Sequence, residues 1–337
     1  MRQVVVGVFI DTSLNIESNN INAIARQSAM GSGGRRRAEQ ETGGMRFSAR
    51  SRREPASRKV RSYQEAARRM TVPGRLYFRP EFVGLGDLDP AKPALFVGNH
   101  TRYGLLDVPL MLDGLYQHHG LVLRSLGDRA HFAVPGWRSF LERNGVVPGN
   151  AANCDALMEA GESILVFPGG AREVFRRRGE EHTLIWKKRL GFVRLALRHG
   201  YDIVPFASYG ADHCYTVIAD GADILERPRL KGYLKKTGML DLLRGGDVLP
   251  PIGKGVASTA IPRPERFYFS FGERISTAGL MDRAGDESTL WQVRERVAES
   301  IERQLDHLGE MRGMDRRENW GWVRRRLCPA GLDGDEA

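Results

Sequence analysis

Five apolar runs stand out along the chain: Ala94 to Gly98, Leu121 to Ser125, Ser163 to Phe167, Ile203 to Ser208 and Phe267 to Phe271. They lack polar alternation, so they predict strands buried on both faces. Between them, Asp107 to His119, Trp137 to Asn144, Ala151 to Ala160 and Lys187 to His199 carry helical spacing. In the last of these, Leu190, Val193 and Leu197 form one stripe, Lys188, Arg194 and Arg198 fall elsewhere, and Gly200 provides a stop. Strands separated by helices predict an α/β fold, a sheet flanked by helices on both faces. Near the C-terminus Thr289 and Gln292 fit a capping box, and Leu290, Val293, Val297, Ile301, Leu305 and Leu308 recur at helical spacing. That pattern predicts a long packing helix.

Upstream the pattern fails. From Gly31 to Arg69 the chain is mostly Gly, Ser, Arg and Glu, with too little apolar surface to offset its ordering entropy. We therefore expect a disordered basic arm over 1–70, a folded domain over 71–312 beginning near Val72, and a C-terminal tail over 313–337. From Ile218 to Ser258, leucines interleave with Lys231, Lys235, Lys236 and Arg244, and Gly238 divides two amphipathic pieces. Such a segment is either a helical insertion packed on the sheet or a surface that enters a membrane interface. No apolar run approaches the roughly 18 residues that span a bilayer.

Charge sharpens this division. The 337 residues carry a net charge of +10, but residues 1–70 alone hold 14 Lys and Arg against 6 Asp and Glu. The basic excess thus sits on the arm, including Arg35-Arg36-Arg37 and Arg52-Arg53, and not on a folded face, so nucleic acid is not an expected partner. Such an arm is in the first place a solvated tail, and an anionic lipid surface is the sharper alternative for it. Cys154, Cys214 and Cys328 are too few and too scattered for a disulfide framework or a zinc site, which points to a reduced, cytoplasm-facing compartment and no metal. The sequence has no G-x-S-x-G elbow, no phosphate-binding P-loop and no G-x-G-x-x-G, which argues against serine hydrolysis, P-loop chemistry and dinucleotide redox.

Candidate chemistry gathers at strand ends, where α/β sheets place their ligands. Asn99-His100 follows the first apolar run, and His100 is the candidate general base. Asp107, at the start of the next helix, either holds the imidazole or caps that helix. Phe167-Pro168-Gly169-Gly170-Ala171-Arg172-Glu173 follows the third run. Its paired glycines let backbone approach a ligand, and Arg172 brings a charge for a phosphate or carboxylate unless it simply pairs with Glu173. A third polar turn, Ser208 to Asp212, ends the Ile203 run. His118, His119 and His131 lack companions at metal-binding spacing and read as surface or packing residues.

Together these segments resemble a known family. Asn99-His100, Gly145-Val146-Val147-Pro148, the Phe167 to Glu173 turn and Ile203-Val204-Pro205 occur in the order of the four sequence blocks of the glycerolipid (lysophospholipid) acyltransferase superfamily. Gly179-Glu180-Glu181, Trp186-Lys187 and Phe192-Val193-Arg194 are similar to its diacylglycerol acyltransferase-like branch, which includes plant phytyl ester synthases. The likeness spans about residues 93 to 275.

The resemblance implies a glycerolipid acyltransferase-like sheet and an O-acyltransferase that takes acyl-CoA as co-substrate and a lipid as acceptor, with no other cofactor. It implies that His100 is the base, with Asp107 its partner, and that Asn99, Gly169, Gly170, Arg172 and Glu173 bind substrate or donor. His100 would then lie on the floor of a lipid-accessible cleft beside the turn. Two departures stand out. The family separates its histidine and aspartate by four residues; here six intervene, and Leu105 occupies the usual aspartate place. The Gly169-Gly170-Ala171-Arg172-Glu173 form is typical of members that use neutral acceptors, which points to a neutral lipid hydroxyl or long-chain alcohol. A cytoplasmic enzyme held peripherally at a membrane is the expected setting. A catalytically silent lipid-binding protein of the same fold and an acyl-ester or thioester hydrolase are the alternatives.

Overall fold

In a computed structural model the described residues are 59–104, 106–127, 132, 136–143, 145–225, 231–232, 236 and 250–318. The first part of the basic arm, most of the Leu/Lys stretch after Leu225, His131, Cys328 and the final tail lie outside them.

Seven strands form the main sheet: β1 (Glu81–Val83), β2 (Ala94–Gly98), β3 (Leu123–Gly127), β4 (Val147–Pro148), β5 (Ser163–Val166), β6 (Asp202–Tyr209) and β9 (Tyr268–Phe271). Their order is β1-β9-β6-β2-β5-β3-β4. The central strands are parallel, with Phe96 opposite Leu165 on one side and Val204 on the other. β9 runs antiparallel to β6 and pairs parallel with β1. A separate hairpin joins β7 (Thr216–Ala219) to β8 (Ile252–Lys254) and frames the Leu/Lys stretch.

The described helices are α1 (Lys59–Phe78), α2 (Val108–His119), α3 (Trp137–Arg143), α4 (Ala151–Glu159), α5 (Ala171–Val174), α6 (Gly191–His199), α7 (Gly221–Leu225) and α8 (Glu287–Glu318). Alternate residues of the buried strands feed two cores. Leu95, Val97, Ile164 and Ile203 meet α4, α6 and α8 on one face. Ala94, Phe96, Leu165 and Val204 meet α2 and Phe78 of α1 on the other. The expected two-faced sheet follows from this alternation.

Three boundaries differ from the sequence reading. α1 starts at Lys59, within the stretch read as arm, although Pro73 removes one of its internal hydrogen bonds. It is held from outside: the Thr71 hydroxyl donates to Asp113 Oδ2 at 2.8 Å, Arg75 Nε lies 3.4 Å from the same oxygen, and Gly74 lets the helix press on Leu110. α6 starts at Gly191 instead of Lys187, because Lys187 sits at φ 50°, outside helical space. α8 runs past residue 312 to Glu318. A fourth, smaller shift moves the second strand to Leu123, since Leu121 N–H folds back to the Leu115 carbonyl after the left-handed Gly120 cap.

Candidate active site

β2, β5 and β6 are parallel, so their carboxyl ends lie at one edge of the sheet. That edge brings together His100, the Pro168 to Glu173 turn and the Ser208 to Asp212 segment. Asn99 locks the first to the third: its side-chain amide donates to the Ser208 carbonyl at 2.8 Å, and its oxygen accepts from Ser208 N–H at 2.8 Å. Both polar ends of Asn99 are thus engaged in joining strand ends.

Glu173 lies between His100 and the glycine turn. One carboxylate oxygen accepts from His100 N–H and the other from Ile185 N–H, each at 2.9 Å. The side chain folds directly under Gly169, where a Cβ would stand 1.9 Å from Glu173 Cδ. Gly170 has φ 51° and ψ −143°, a conformation that glycine alone adopts readily, and its N–H donates to the Phe167 carbonyl at 3.1 Å. Burial pushes the Glu173 carboxyl pKa up, while Arg176 and the two N–H donors oppose that rise.

The His100 ring stacks on Phe167 with centroids 4.1 Å apart. Gly104 presses on its edge, so closely that a Cβ there would lie 2.0 Å from His100 Cε1. The residue is 0% exposed. The expectation of an imidazole on the floor of an open cleft is therefore corrected: the turn and the imidazole are adjacent, but Phe167 and Gly104 enclose the ring. A cleft of about 270 Å³ opens elsewhere, lined by His182, Tyr209, Glu302, Leu305, Asp306 and Gly309.

Asp107 takes a different partner from the one expected. Its Oδ2 accepts from the Ser208 hydroxyl at 2.6 Å, and it makes no hydrogen bond to the His100 ring. Burial raises the Asp107 pKa, with Ser208 and Thr101 opposing. It also precedes α2 without a side-chain cap bond, so the capping alternative is not realised either. Arg172 is buried and engaged by the Glu180 carboxylate, not by Glu173.

Sequence reasoning overlooked Arg176. It is fully buried, donates to the His100 and Glu173 carbonyls, and places Nη1 3.2 Å from Asp212 Oδ2. Asp212 also accepts from Arg102 N–H at 2.6 Å, while Arg102 Nη2 reaches Glu181 Oε1 at 2.5 Å. Burial alone would raise the Asp212 pKa, but Arg176, His182 and Arg102 outweigh it and hold the carboxyl well below its ordinary range. The visible signal was only a run, Arg176-Arg177-Arg178, whose members look alike in sequence.

His182 stacks on Tyr209 at 3.9 Å, and its Nε2 lies 3.1 Å from His213 Nε2. Burial lowers its pKa to about 4; Asp212 opposes this, and Arg176 and Arg312 add to it. Among the described residues, no group of three or more His, Cys, Asp or Glu could hold a metal ion. No described helix is long and apolar enough to cross a membrane.

Comparison with known proteins agrees with the motif order. The diacylglycerol acyltransferase family model matches residues 116–244. The chain is 28% identical over 246 residues to phytyl ester synthase 1, chloroplastic, of Arabidopsis thaliana, covering 69% of this chain and 34% of that protein. It is 30% identical over 242 residues to phytyl ester synthase 2, chloroplastic, of the same plant, covering 68% and 34%. Diacylglycerol O-acyltransferase 2B of Umbelopsis ramanniana is 30% identical over 148 residues, 41% of this chain and 42% of that protein. The alignments thus span about a third of either synthase. Among solved structures, the 1-acyl-sn-glycerophosphate acyltransferase PlsC of Thermotoga maritima aligns over 72% of this chain and 78% of its own, at 14% identity and a TM-score of 0.44.

Proposed function

We propose, from the premise that the chain belongs to the diacylglycerol acyltransferase-like branch of the lipid acyltransferases, that it transfers a fatty acyl group from acyl-CoA to a lipid hydroxyl. The observation that supports this best is the direct contact between His100 and the glycine turn, made by the Phe167 stack and by Glu173 beneath Gly169.

In this reaction a neutral His100 imidazole accepts the proton of the acceptor hydroxyl as its oxygen attacks the thioester carbonyl. The Gly169 and Ala171 N–H groups are the proposed donors to the developing oxyanion, since the Gly170 N–H already serves Phe167. Collapse of the tetrahedral adduct breaks the C–S bond, releases CoA thiolate and forms the ester. The proton returns from imidazolium to the leaving sulfur, so no acyl-enzyme is needed. Because Gly104 covers the ring edge, access of the acceptor to the imidazole requires that this cover be displaced. The Arg172–Glu180 pair supports an uncharged acceptor, since that guanidinium already has a carboxylate. Phytol-like alcohols and diacylglycerol, suggested by the relatives' names, belong to this class. An enzyme acting on such lipids works at a membrane surface.

The test incubates purified chain with labelled acyl-CoA and a panel of long-chain alcohols, diacylglycerols and lysophospholipids, with ester and free CoA measured together. Ester formation that disappears in a folded His100→Ala variant is expected, and full activity in that variant overturns the proposed base. Free acid without ester would indicate a hydrolase, and bound lipid without CoA release a binding protein.

A further inference from the structure

α1 is two-sided in an unusual sense. Thr71, Gly74 and Phe78 turn toward α2 and the core. The outward side is also apolar: Met70 is 71% exposed, Leu76 76%, and Val72 and Tyr77 are partly bare. Val72 and Leu76 are one helical turn apart, so their side chains share a face. A soluble monomer seldom leaves such a stripe open without a partner for it.

The stripe continues onto a neighbouring element. The Tyr77 hydroxyl donates to the Pro262 carbonyl at 2.7 Å, which sets Ile261, 58% exposed, beside the helix. The Ile261 loop follows β8, where Ile252 is 55% exposed. Two observations identify what covers this surface. Arg68 and Arg69 are exposed at one end of the stripe, and the chain before them is strongly basic, which complements an anionic partner. Tyr77 combines an apolar ring with a satisfied hydroxyl, the form of side chain that suits a membrane–water boundary.

The surface also lies at the edge that carries the candidate site. β9 is antiparallel to β6 and pairs Tyr268 with Tyr209, so the end of α1, which bonds to Phe267, adjoins the carboxyl end of β6. From the site side, the Tyr103 hydroxyl donates to the Pro251 carbonyl at 2.9 Å, joining the His100 loop to the start of β8.

We propose that the outer face of α1 and the adjoining Ile261 loop dock the protein on a bilayer containing anionic lipid, with the apolar side chains entering the interface and the arginines meeting head groups. This names the partner surface for the lipid-acyltransferase reading and rests on that reading only for its purpose. Lipid acceptors then reach the His100 edge from the bilayer without crossing open water.

Sedimentation of the full chain with vesicles of phosphatidylcholine, with and without phosphatidylglycerol, tests the proposal. The wild type should pellet with the mixed vesicles, weakly with phosphatidylcholine alone, and less at high salt. Leu76→Glu and Ile261→Glu should each lower the partition coefficient about tenfold while thermal unfolding stays unchanged. Replacing Arg68 and Arg69 with serine should reduce binding only where phosphatidylglycerol is present. If Leu76→Glu fails to fold, Ile261→Glu, on a separate loop, decides the matter.

Folded variants of both kinds that bind as the wild type does overturn the docking surface. So does a wild-type dimer that Leu76→Glu dissociates, since the stripe would then face a second copy of the chain. His100→Ala should bind vesicles normally. Loss of the acyltransferase reading would therefore appear in ester formation and leave the vesicle result standing.

Discussion

Arg176 and Asp212 form an ion pair at 3.2 Å with neither side chain open to solvent. Removing one partner of such a pair leaves a buried charge uncompensated, at a cost of about 3–5 kcal/mol, whereas removing both costs less. Arg176→Met should therefore destabilise more than Arg176→Met combined with Asp212→Asn, as read from urea midpoints. Equal losses would mean that the arginine's bonds to the His100 and Glu173 carbonyls, not the pair, carry its effect.

Gly104 supplies a sharper probe of the proposed base. Its φ of 56° costs any other L-residue about 1 kcal/mol, and an alanine Cβ would collide with the His100 ring. Gly104→Ala should lower transfer about a hundredfold through displacement of the imidazole. The change should fall on kcat while the unfolding temperature drops by only a few degrees. A fully active Gly104→Ala enzyme would mean that ring placement is unimportant.

Glu173 accepts two backbone N–H groups, and a glutamine can present only one oxygen to them. Glu173→Gln turns its amide donors toward one of those N–H groups, at a cost of about 1–3 kcal/mol. The distinguishing readout is the amide signal of His100 in an NMR spectrum, which should shift together with that of Ile185. Signals of both residues left unmoved would show that the carboxylate does not hold these backbone groups.

His182 sets an acid limit on stability. Its pKa is lowered from 6.5 to about 4 by burial, so below pH 6.5 the unfolded chain binds a proton that the folded chain refuses. The contribution is complete above pH 6.5 and is lost as pH falls toward 4, amounting to roughly 3 kcal/mol. His182→Gln should flatten the urea midpoint between pH 6.5 and 4. An unchanged slope would place the acid sensitivity on other groups.

The sheet was readable because its central strands are buried on both faces and so appear as unbroken apolar runs, Ala94 to Gly98 above all. α1 was hidden for the opposite reason. Its apolar residues are split between the core side and the outer side, with Pro73 and Gly74 between them, so no single stripe emerges. At the site, the neighbourhood of His100 and the glycine turn followed from two strand ends on one sheet edge. Partner choice did not follow. Asp107 meets Ser208, and Arg172 meets Glu180 instead of the adjacent Glu173, because such pairings depend on how loops return and not on spacing. The enclosure of His100 was equally hidden, since it depends on the left-handed turn at Gly104.

The pair of hydrogen bonds between Asn99 and Ser208 makes one side chain act as a short extra rung between β2 and β6. Aspartate would lack the donor and leucine both groups, so neither neighbour in size can replace it. Inserting or deleting a residue between Gly98 and His100 would break that rung and turn the imidazole toward the opposite side of the sheet. Other turns at this edge of the sheet can then change length without disturbing the ring, whereas this one junction cannot.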